Sequence, residues 1–352
     1  MKIKDTIKLS VDSLFKGGPA ELKNLIFAYF NLKAEPQKMS SQPLFVQIEP
    51  TLYCNLQCNM CVNPLSKREK RHMGLEEFKI ILQKMPFVRK ISLVGAGEPL
   101  LNPQLFQMIS HAVKKGIRTG FATNGMLLDA ENCQKIIDCG AHWVNISIDS
   151  ADKEKFEAIR KGADFNLILE GIKRLLQIRG KGTLPEASLW FVLMQDNQEE
   201  LAKVIHLAKG TGIKKVFAQL EHHWNNAQLK KNIAHRGSED FWEKLRANLS
   251  KARAAAKSLG VYFEYVNVPD TKSRRGCKWP WKSCYLTAEG FITPCCLQSA
   301  NPEVINFGNV LKEDFKDIWN NLSYQKFRDF LKSDTAPQAC LGCSAYYKRL
   351  KI

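Results

Sequence analysis

The hydrophobic positions change period along the chain, and each change marks an element. At the start, Leu9, Val11, Leu14 and Phe15, then Leu22, Leu25, Ile26, Phe27, Tyr29 and Phe30, recur at roughly helical spacing. Gly17, Gly18 and Pro19 separate the two segments. Residues 1–42 therefore read as an amphipathic helical extension packed as a lid on the main domain. A helix resting on a membrane surface or a partner is the other reading, and lysines flank the apolar face without dominating it. From residue 43 short β-rich runs alternate with helical stretches. The runs lie at 44–49, 90–94, 119–123, 143–148, 189–194 and 215–220. The helical patterns lie at 75–85, 103–115, 130–139, 165–179 and 199–211. Gly116, Gly140 and Gly212 follow helices, where a left-handed cap is wanted. Six β–α units predict an α/β fold with a parallel sheet. A closed barrel takes eight such units, so a partial (β/α)6 barrel is expected.

Residues 222–240 lapse into a polar loop, followed by a helix over 241–258 and a further β-rich run over 262–266. A linker at 269–275 leads into a cysteine-rich tail. The expected division is an extension at 1–42, a barrel at 43–270 and a small C-terminal domain at 271–352. No internal repeat or low-complexity tract interrupts it.

Of 352 residues, 45% are hydrophobic and 25% charged, enough to bury one large core and a smaller one. No apolar run reaches membrane-spanning length, and the first residues lack the apolar stretch of a secretory signal, so a cytoplasmic protein is expected. The net charge of +17 suits nucleic acid, anionic lipid or a phosphorylated substrate. The basic residues are scattered, however, and no RNA-binding signature appears, so nucleic acid is not expected as a partner. The cysteines change the picture more. There are 11, with three at 54–61, two at 133–139 and six at 277–343. An odd, clustered set without a secretory signal points to metal rather than to disulfides. Cys133 and Cys139 sit among apolar neighbours and read as core residues.

Directly after the first predicted strand, Cys54, Cys58 and Cys61 form a C-x3-C-x2-C run. Three thiolates in one tight loop can hold three corners of an iron–sulfur cube and leave the fourth iron open to a substrate. A closed zinc site wants a fourth ligand, and the nearest histidine, His72, stands eleven residues beyond Cys61. The run resembles the hallmark loop of the radical S-adenosylmethionine (SAM) superfamily. The resemblance implies a [4Fe-4S] cluster on Cys54, Cys58 and Cys61, with SAM chelating the open iron. One electron from the cluster then cleaves the sulfonium, giving methionine and a 5′-deoxyadenosyl radical that abstracts a substrate hydrogen. Gly95-Ala96-Gly97-Glu98-Pro99 is similar to the family's GGEP turn, with Ala96 in place of the middle glycine. By that likeness Glu98 accepts hydrogen bonds from the methionine ammonium, and Gly95 and Gly97 permit close approach. Thr123 and Asn124 end the third strand, and Ser147 and Asp149 the fourth, where the family lines its SAM site. Asn124 also reads as a plain turn residue. Arg160 resembles a family arginine that reaches the cofactor carboxylate, the alternative being a surface residue. The stretch ending in Asn197 after the fifth strand is also like the family.

In the tail, Cys277 and Cys295 are separated by 18 residues, Cys295 and Cys340 by 45, and Cys340 and Cys343 by 3. Residues 285–293 read as a hairpin turning at Glu289-Gly290. With Gly308-Asn309-Val310 and Ile318-Trp319, the region resembles the SPASM/twitch type of auxiliary-cluster extension. Two fully ligated clusters would need eight thiolates, so one auxiliary [4Fe-4S] cluster is expected. Its ligands would be Cys277, Cys295, Cys340 and Cys343, with Cys284 and Cys296 as spare thiols, either able to replace a neighbour. A fully ligated cluster serves as an electron conduit, which favours oxidation by dehydrogenation or cross-linking. The resemblance implies a sugar, cyclitol or peptide as the substrate. The resemblance also implies a donor such as flavodoxin or ferredoxin. His222, His223 and His235 are candidate acid–base residues because their loop follows the sixth strand, although surface histidines are the plainer reading. Two rival readings stand beside this oxidoreductase: a radical enzyme acting on lipid or RNA through its basic surface, with the extension touching a membrane, and a non-catalytic zinc-binding protein.

Overall fold

The computed structural model describes residues 18–221, 229, 238–266, 269–274, 277–296, 302, 305–333, 337, 340, 343 and 347–349. Seven strands run parallel in chain order: β1 (Phe45–Ile48), β2 (Lys90–Leu93), β3 (Arg118–Thr123), β4 (Trp143–Ser147), β5 (Glu186–Leu193), β6 (Lys215–Leu220) and β7 (Tyr262–Val266). The 262–266 run supplies the seventh strand. Between the strands lie α2 (Leu75–Lys84), α3 (Leu105–Lys114), α4 (Ala130–Asp138), α5 (Lys153–Ile159), α6 (Phe165–Arg179) and α7 (Leu201–Thr211), with α8 (Glu239–Leu259) before β7 and α1 (Gly18–Ala34) before β1. The sheet does not close, so its end strands remain edges.

Period-2 burial shows how the sheet works. In β4, Val144 and Ile146 are fully buried and join Ile136 of α4 and Ile168 of α6 in the main core. Trp143, Asn145 and Ser147 take the opposite, half-buried face. Helix α6 buries Phe165, Ile168, Ile172 and Leu175, the spacing of one helical stripe, and Asp164 caps it by accepting from the Leu167 amide. Gly212, at φ 85°, ends α7 in the left-handed conformation.

The tail is less separate than its cysteines suggest. A strand, β9 (Ser283–Leu286), pairs in parallel with β1 and returns antiparallel as β10 (Ile292–Thr293), so one sheet of nine strands continues past residue 270. The hairpin turns where expected, with Gly290 at φ 88° and its amide donating to the Thr287 carbonyl at 2.9 Å. A short strand, β8 (Pro269–Arg274), precedes a one-turn helix, α9 (Trp279–Lys282). Two helices, α10 (Phe315–Trp319) and α11 (Leu322–Lys332), pack an aromatic stack under the hairpin. Ring centroids lie 3.8 Å apart for Phe307–Tyr324, 4.8 Å for Trp319–Tyr324 and 5.6 Å for Phe315–Trp319. The last strand, β11 (Tyr347–Arg349), pairs with β8.

Helix α1 departs from the amphipathic expectation. It buries Leu25 and Ala28 together with Glu21, Asn24 and Asn31, and leaves Ile26, Tyr29 and Phe30 exposed. The buried polar groups are satisfied: Glu21 pairs with Arg89, the Asn24 carbonyl oxygen accepts from the Gln42 amide, and Asn31 donates to Ser41 Oγ. Specific polar partners, Arg89 on the barrel and Ser41 and Gln42 in the segment after the helix, rather than an apolar stripe, decide which face turns inward. Among the described residues no helix is long and apolar enough to cross a membrane.

Candidate active site

Strand β1 delivers the chain to the cysteine loop, and three neighbouring segments fix that loop. Its start pairs with residues 71–73: the Leu52 amide donates to Arg71 at 3.0 Å, and the Met73 amide to Pro50 at 2.9 Å. Its middle hangs on the end of α5. The Gln57 amide donates to Lys161 at 2.9 Å, the Asn59 amide to Ile159 at 3.0 Å and Asn59 Nδ2 to Ala158 at 2.9 Å. Its end turns with the Cys61 amide donating to Cys58, while Asn63 Nδ2 donates to the carbonyls of Leu52 and Ala96. These contacts do not use the thiols, whereas the Asn63 amide donates to Cys61 Sγ at 3.4 Å. Cys54, Cys58 and Cys61 are each partly exposed.

The Gly95–Pro99 turn packs directly on this loop. A Cβ on Gly97 would collide with the carbonyl oxygens of Thr51 and Tyr53, so only glycine fits there. The Glu98 amide donates to the Tyr53 carbonyl at 2.8 Å. Glu98 itself is 2% exposed. Its Oε1 accepts from Thr123 Oγ1 at 2.8 Å and the Leu100 amide at 3.2 Å, and its Oε2 accepts from the Asn124 amide at 2.7 Å. Burial outweighs those bonds and pushes the carboxyl up to about 7. Oε2 keeps a second lone pair, which is capacity for one more donor. Asn124 is both turn and contact: its Oδ1 accepts from the Met126 amide, and its Nδ2 donates to Asn55 Oδ1 at 2.8 Å inside the cysteine loop.

Asp149 and Arg160 form the charged side of the site. Arg160 Nε donates to Asp149 Oδ2 at 2.6 Å, and the two side chains are 9% and 0% exposed. Asp149 Oδ1 accepts from the Val192 amide, and Asn197 Nδ2 donates to the Asp149 carbonyl. Arg160 Nη1 reaches 3.9 Å from Cys58 Sγ. Arg160 is thus no surface residue, and Asp149 is committed to holding it. Ser147 ends β4 on the half-buried face, opposite Trp190 of β5. His222, His223 and His235 lie outside the described residues; Leu229 of the same stretch is buried with Leu52, Val62, Ala96 and Ala288.

Do the residues fit an iron–sulfur cluster? Burial pushes the Cys54 and Cys58 thiols up and the Cys61 thiol up to about 12, with Arg160 pulling each the other way. Half-buried sulfurs, with a fixed guanidinium beside Cys58, suit thiolates that bind a cation and carry net negative charge. Among the described residues no three His, Cys, Asp or Glu side chains converge as ligands of a single ion. A cubane asks for a looser arrangement, with each thiolate on its own iron.

The tail brings four thiols together. Cys295 lies within electrostatic reach of Cys277, Cys340 and Cys343, besides its chain neighbour Cys296, and Cys340 within reach of Cys343 and Cys277. Burial pushes the Cys277 thiol up to about 12 and those of Cys295 and Cys340 further. The Cys343 amide donates to Cys340 at 3.1 Å, closing the final turn. Cys284 stands apart from that set: it is wholly buried on β9 opposite Val46, and the charge within its reach is Arg328. The Tyr324 hydroxyl, buried within reach of Cys277 and Cys295, has no hydrogen-bond partner among the described atoms. A cluster of four thiolates would give that orphaned donor an acceptor.

The sequence reading overlooked a third group. Arg68, its side chain 5% exposed, lies between two carboxylates: Nη2 is 2.5 Å from Glu49 Oε2 and 2.5 Å from Glu289 Oε2, and Nε donates to Glu289 Oε1 at 3.1 Å. Glu49 also accepts from the Ala96 amide, the Tyr285 hydroxyl and the Ala288 amide. This bridge ties the end of β1 and the Gly95 turn to the hairpin of the tail. One signal could have found it, an acid closing a mostly apolar strand just before Pro50.

A parallel α/β sheet with three cysteines in the loop after β1 and a second cysteine group in the tail has the make-up of an iron–sulfur protein. The sequence model of the radical SAM superfamily matches residues 48–217, and that of the SPASM iron-sulfur cluster-binding domain matches residues 277–344. The chain belongs to the radical SAM superfamily and carries a SPASM domain, and so binds SAM and iron–sulfur clusters. It is 25% identical over 317 residues to the tungsten-containing aldehyde ferredoxin oxidoreductase cofactor-modifying protein of Pyrococcus furiosus, covering 85% of this chain and 87% of that protein. It is 26% identical over 310 residues to the PqqA peptide cyclase of Granulibacter bethesdensis, covering 86% and 79%. In fold it is similar to Streptococcus suis SuiB bound to S-adenosylmethionine, with a TM-score of 0.69 at 18% identity over 97% of this chain and 81% of that one.

Proposed function

We propose that the chain is a cytoplasmic radical SAM oxidoreductase that oxidises a peptide, by dehydrogenation or cross-linking, with the C-terminal cluster accepting an electron. The observation that carries this reading is the convergence of Cys277, Cys295, Cys340 and Cys343, with Cys284 held elsewhere. Four thiolates saturate a four-iron cluster, so its role is to pass electrons rather than to bind substrate. The peptide is favoured over a sugar or cyclitol by the likeness to a PqqA peptide cyclase.

Cys54, Cys58 and Cys61 would hold the cluster that, when loaded, supplies reductive cleavage of SAM. Around it, Glu98 accepts the methionine ammonium with its remaining lone pair. Arg160, fixed by Asp149, sets a positive charge beside Cys58 and would pair with the cofactor carboxylate. Thr123, Asn124, Ser147, Gly95 and Gly97 shape the walls. A flavodoxin or ferredoxin would supply the electron.

The test is anaerobic. Iron, sulfide and zinc are measured on the purified chain, which is then given SAM, dithionite and either a peptide pool or a pool of sugars and cyclitols. Two four-iron clusters give about eight irons per chain. Peptide-stimulated 5′-deoxyadenosine with a product lighter by a pair of hydrogens supports the reading. Stimulation by the sugar pool alone moves the substrate, and zinc without iron sinks the radical chemistry.

A further inference from the structure

Helix α1 packs with its polar side inward. Glu21, Asn24, Leu25, Ala28 and Asn31 are buried, and Arg89, Gln42 and Ser41 hold the three polar members there. The opposite side carries Lys23, Ile26, Phe30 and Lys33, three or four residues apart along one stripe, with Phe27 and Tyr29 on its two flanks. Ile26, Tyr29 and Phe30 are 47%, 44% and 57% exposed. Three of the ten large apolar side chains exposed among the described residues therefore fall within five positions. Single apolar residues on a surface are ordinary, whereas a cluster on one helix face marks a contact surface.

Charge and size decide what that surface meets. Lys23 and Lys33 are its charged side chains, and both are exposed. Glu21, the one acid of the helix, lies on the buried side and pairs with Arg89. Lys23 Nζ stands 5.9 Å from the Phe27 ring centroid, and Lys33 Nζ 4.6 Å from that of Tyr29. An ammonium thus sits over a ring at each end of the stripe. Lysines so placed can meet lipid phosphates while the rings enter the boundary between headgroups and acyl chains. The net charge of +17 has the same sign, which an anionic surface attracts. The exposed half of three such side chains comes to on the order of 300 Å², whereas a stable protein–protein contact takes about 800 Å² from each partner. From Lys23 to Lys33 the stripe runs about 15 Å, a length that lies in a membrane interface rather than crossing it.

We propose that the outward face of α1, formed by Ile26, Tyr29 and Phe30 between Lys23 and Lys33, docks the protein on an anionic membrane surface. The buried polar face keeps the helix on the barrel, and the apolar face is thereby left free for lipid.

The experiment uses the full-length, cluster-loaded chain and co-sedimentation with two kinds of vesicle, phosphatidylglycerol mixed equally with phosphatidylcholine, and phosphatidylcholine alone. The parent should bind the mixed vesicles at low ionic strength and less at high salt. Tyr29→Ser with Phe30→Ser should lower the ratio of bound to free protein at least tenfold. Lys23→Gln with Lys33→Gln should lower it by a smaller factor and narrow the difference between the two vesicles. Leu167→Ser, which removes an exposed apolar side chain on α6, should bind like the parent. All these positions are exposed, so thermal midpoints should stay put. A folded Tyr29→Ser and Phe30→Ser protein that binds like the parent overturns the proposal. If that protein does not fold, the lysine pair decides, an unchanged ratio overturning the membrane reading. Light scattering without lipid tests the other occupant: a parent dimer that Phe30→Ser converts to monomer means that a second copy covers this face, which also overturns it.

Discussion

The two cysteine groups are built in opposite ways. Cys54, Cys58 and Cys61 come from one loop, shaped by backbone hydrogen bonds to residues 71–73 and 158–161. Cys277, Cys295, Cys340 and Cys343 come from remote segments that meet only because a hairpin, two helices and an aromatic stack pack together. The first group is flanked by a buried ion pair and a buried carboxylate; the second lies within reach of the Tyr324 hydroxyl, a buried donor without a partner among the described atoms. A local site keeps its shape when its chemistry is removed, whereas an assembled site depends on its packing.

The sharpest separation comes from the cysteines. Replacing Cys54, Cys58 and Cys61 by Ala should abolish SAM cleavage while the protein keeps its auxiliary iron and its thermal midpoint. Iron analysis and 5′-deoxyadenosine release check both halves. Loss of all iron would show that the two sites are not independent. The buried ion pair comes next. Arg160→Ala leaves Asp149 charged, buried and unpaired, which should cost about 3–5 kcal/mol in denaturant unfolding. Asp149→Asn combined with Arg160→Met should recover most of that loss, because no lone charge remains.

How much of this contrast could be read from the chain follows from the same distinction. The C-x3-C-x2-C loop, the Gly97–Glu98 turn and the hairpin at Gly290 are local, so spacing exposed the first and third and likeness to a family turn the second. The pairing of β9 with β1 joins Ser283 to Phe45, and no local pattern encodes so remote a register. Arg328 is invisible for a related reason. In Leu322–Lys332 it reads as one more charge on an amphipathic helix, and only tertiary packing turns it inward. Arg68 looks like part of a solvated basic run until Glu49 and Glu289 are seen on either side. Helix α1 misled in the other direction, because its buried face is polar and matched to partners.

A milder change tests the assembled site. Trp319 Nε1 donates to the Ser41 carbonyl at 2.9 Å, tying the aromatic stack to the segment after α1. Trp319→Phe keeps a ring and deletes the donor, leaving a buried carbonyl unsatisfied, at about 2 kcal/mol. Auxiliary iron should be lost more readily to a chelator, while iron at the Cys54 loop stays put. Equal loss from both sites would break the contrast.

The smallest expected effect is a matter of pH at Glu98. Its carboxyl sits at about 7 in the folded protein, above the ordinary carboxylate range, because burial disfavours the charge. In the protein without SAM the sign is fixed by linkage: the folded state holds the proton more tightly, so stability falls as pH rises from the unfolded value toward about 7. SAM binding should run the other way. An ammonium beside Oε2 favours the carboxylate, so affinity should be full above pH 7 and weaken by up to about tenfold for each unit below it. Glu98→Gln should flatten that limb at a lower overall affinity, measured by equilibrium binding to the cluster-loaded protein. A wild-type profile already flat between pH 5 and 7 would mean that Glu98 only ties Thr123 and Asn124 to the turn, and that another group receives the ammonium.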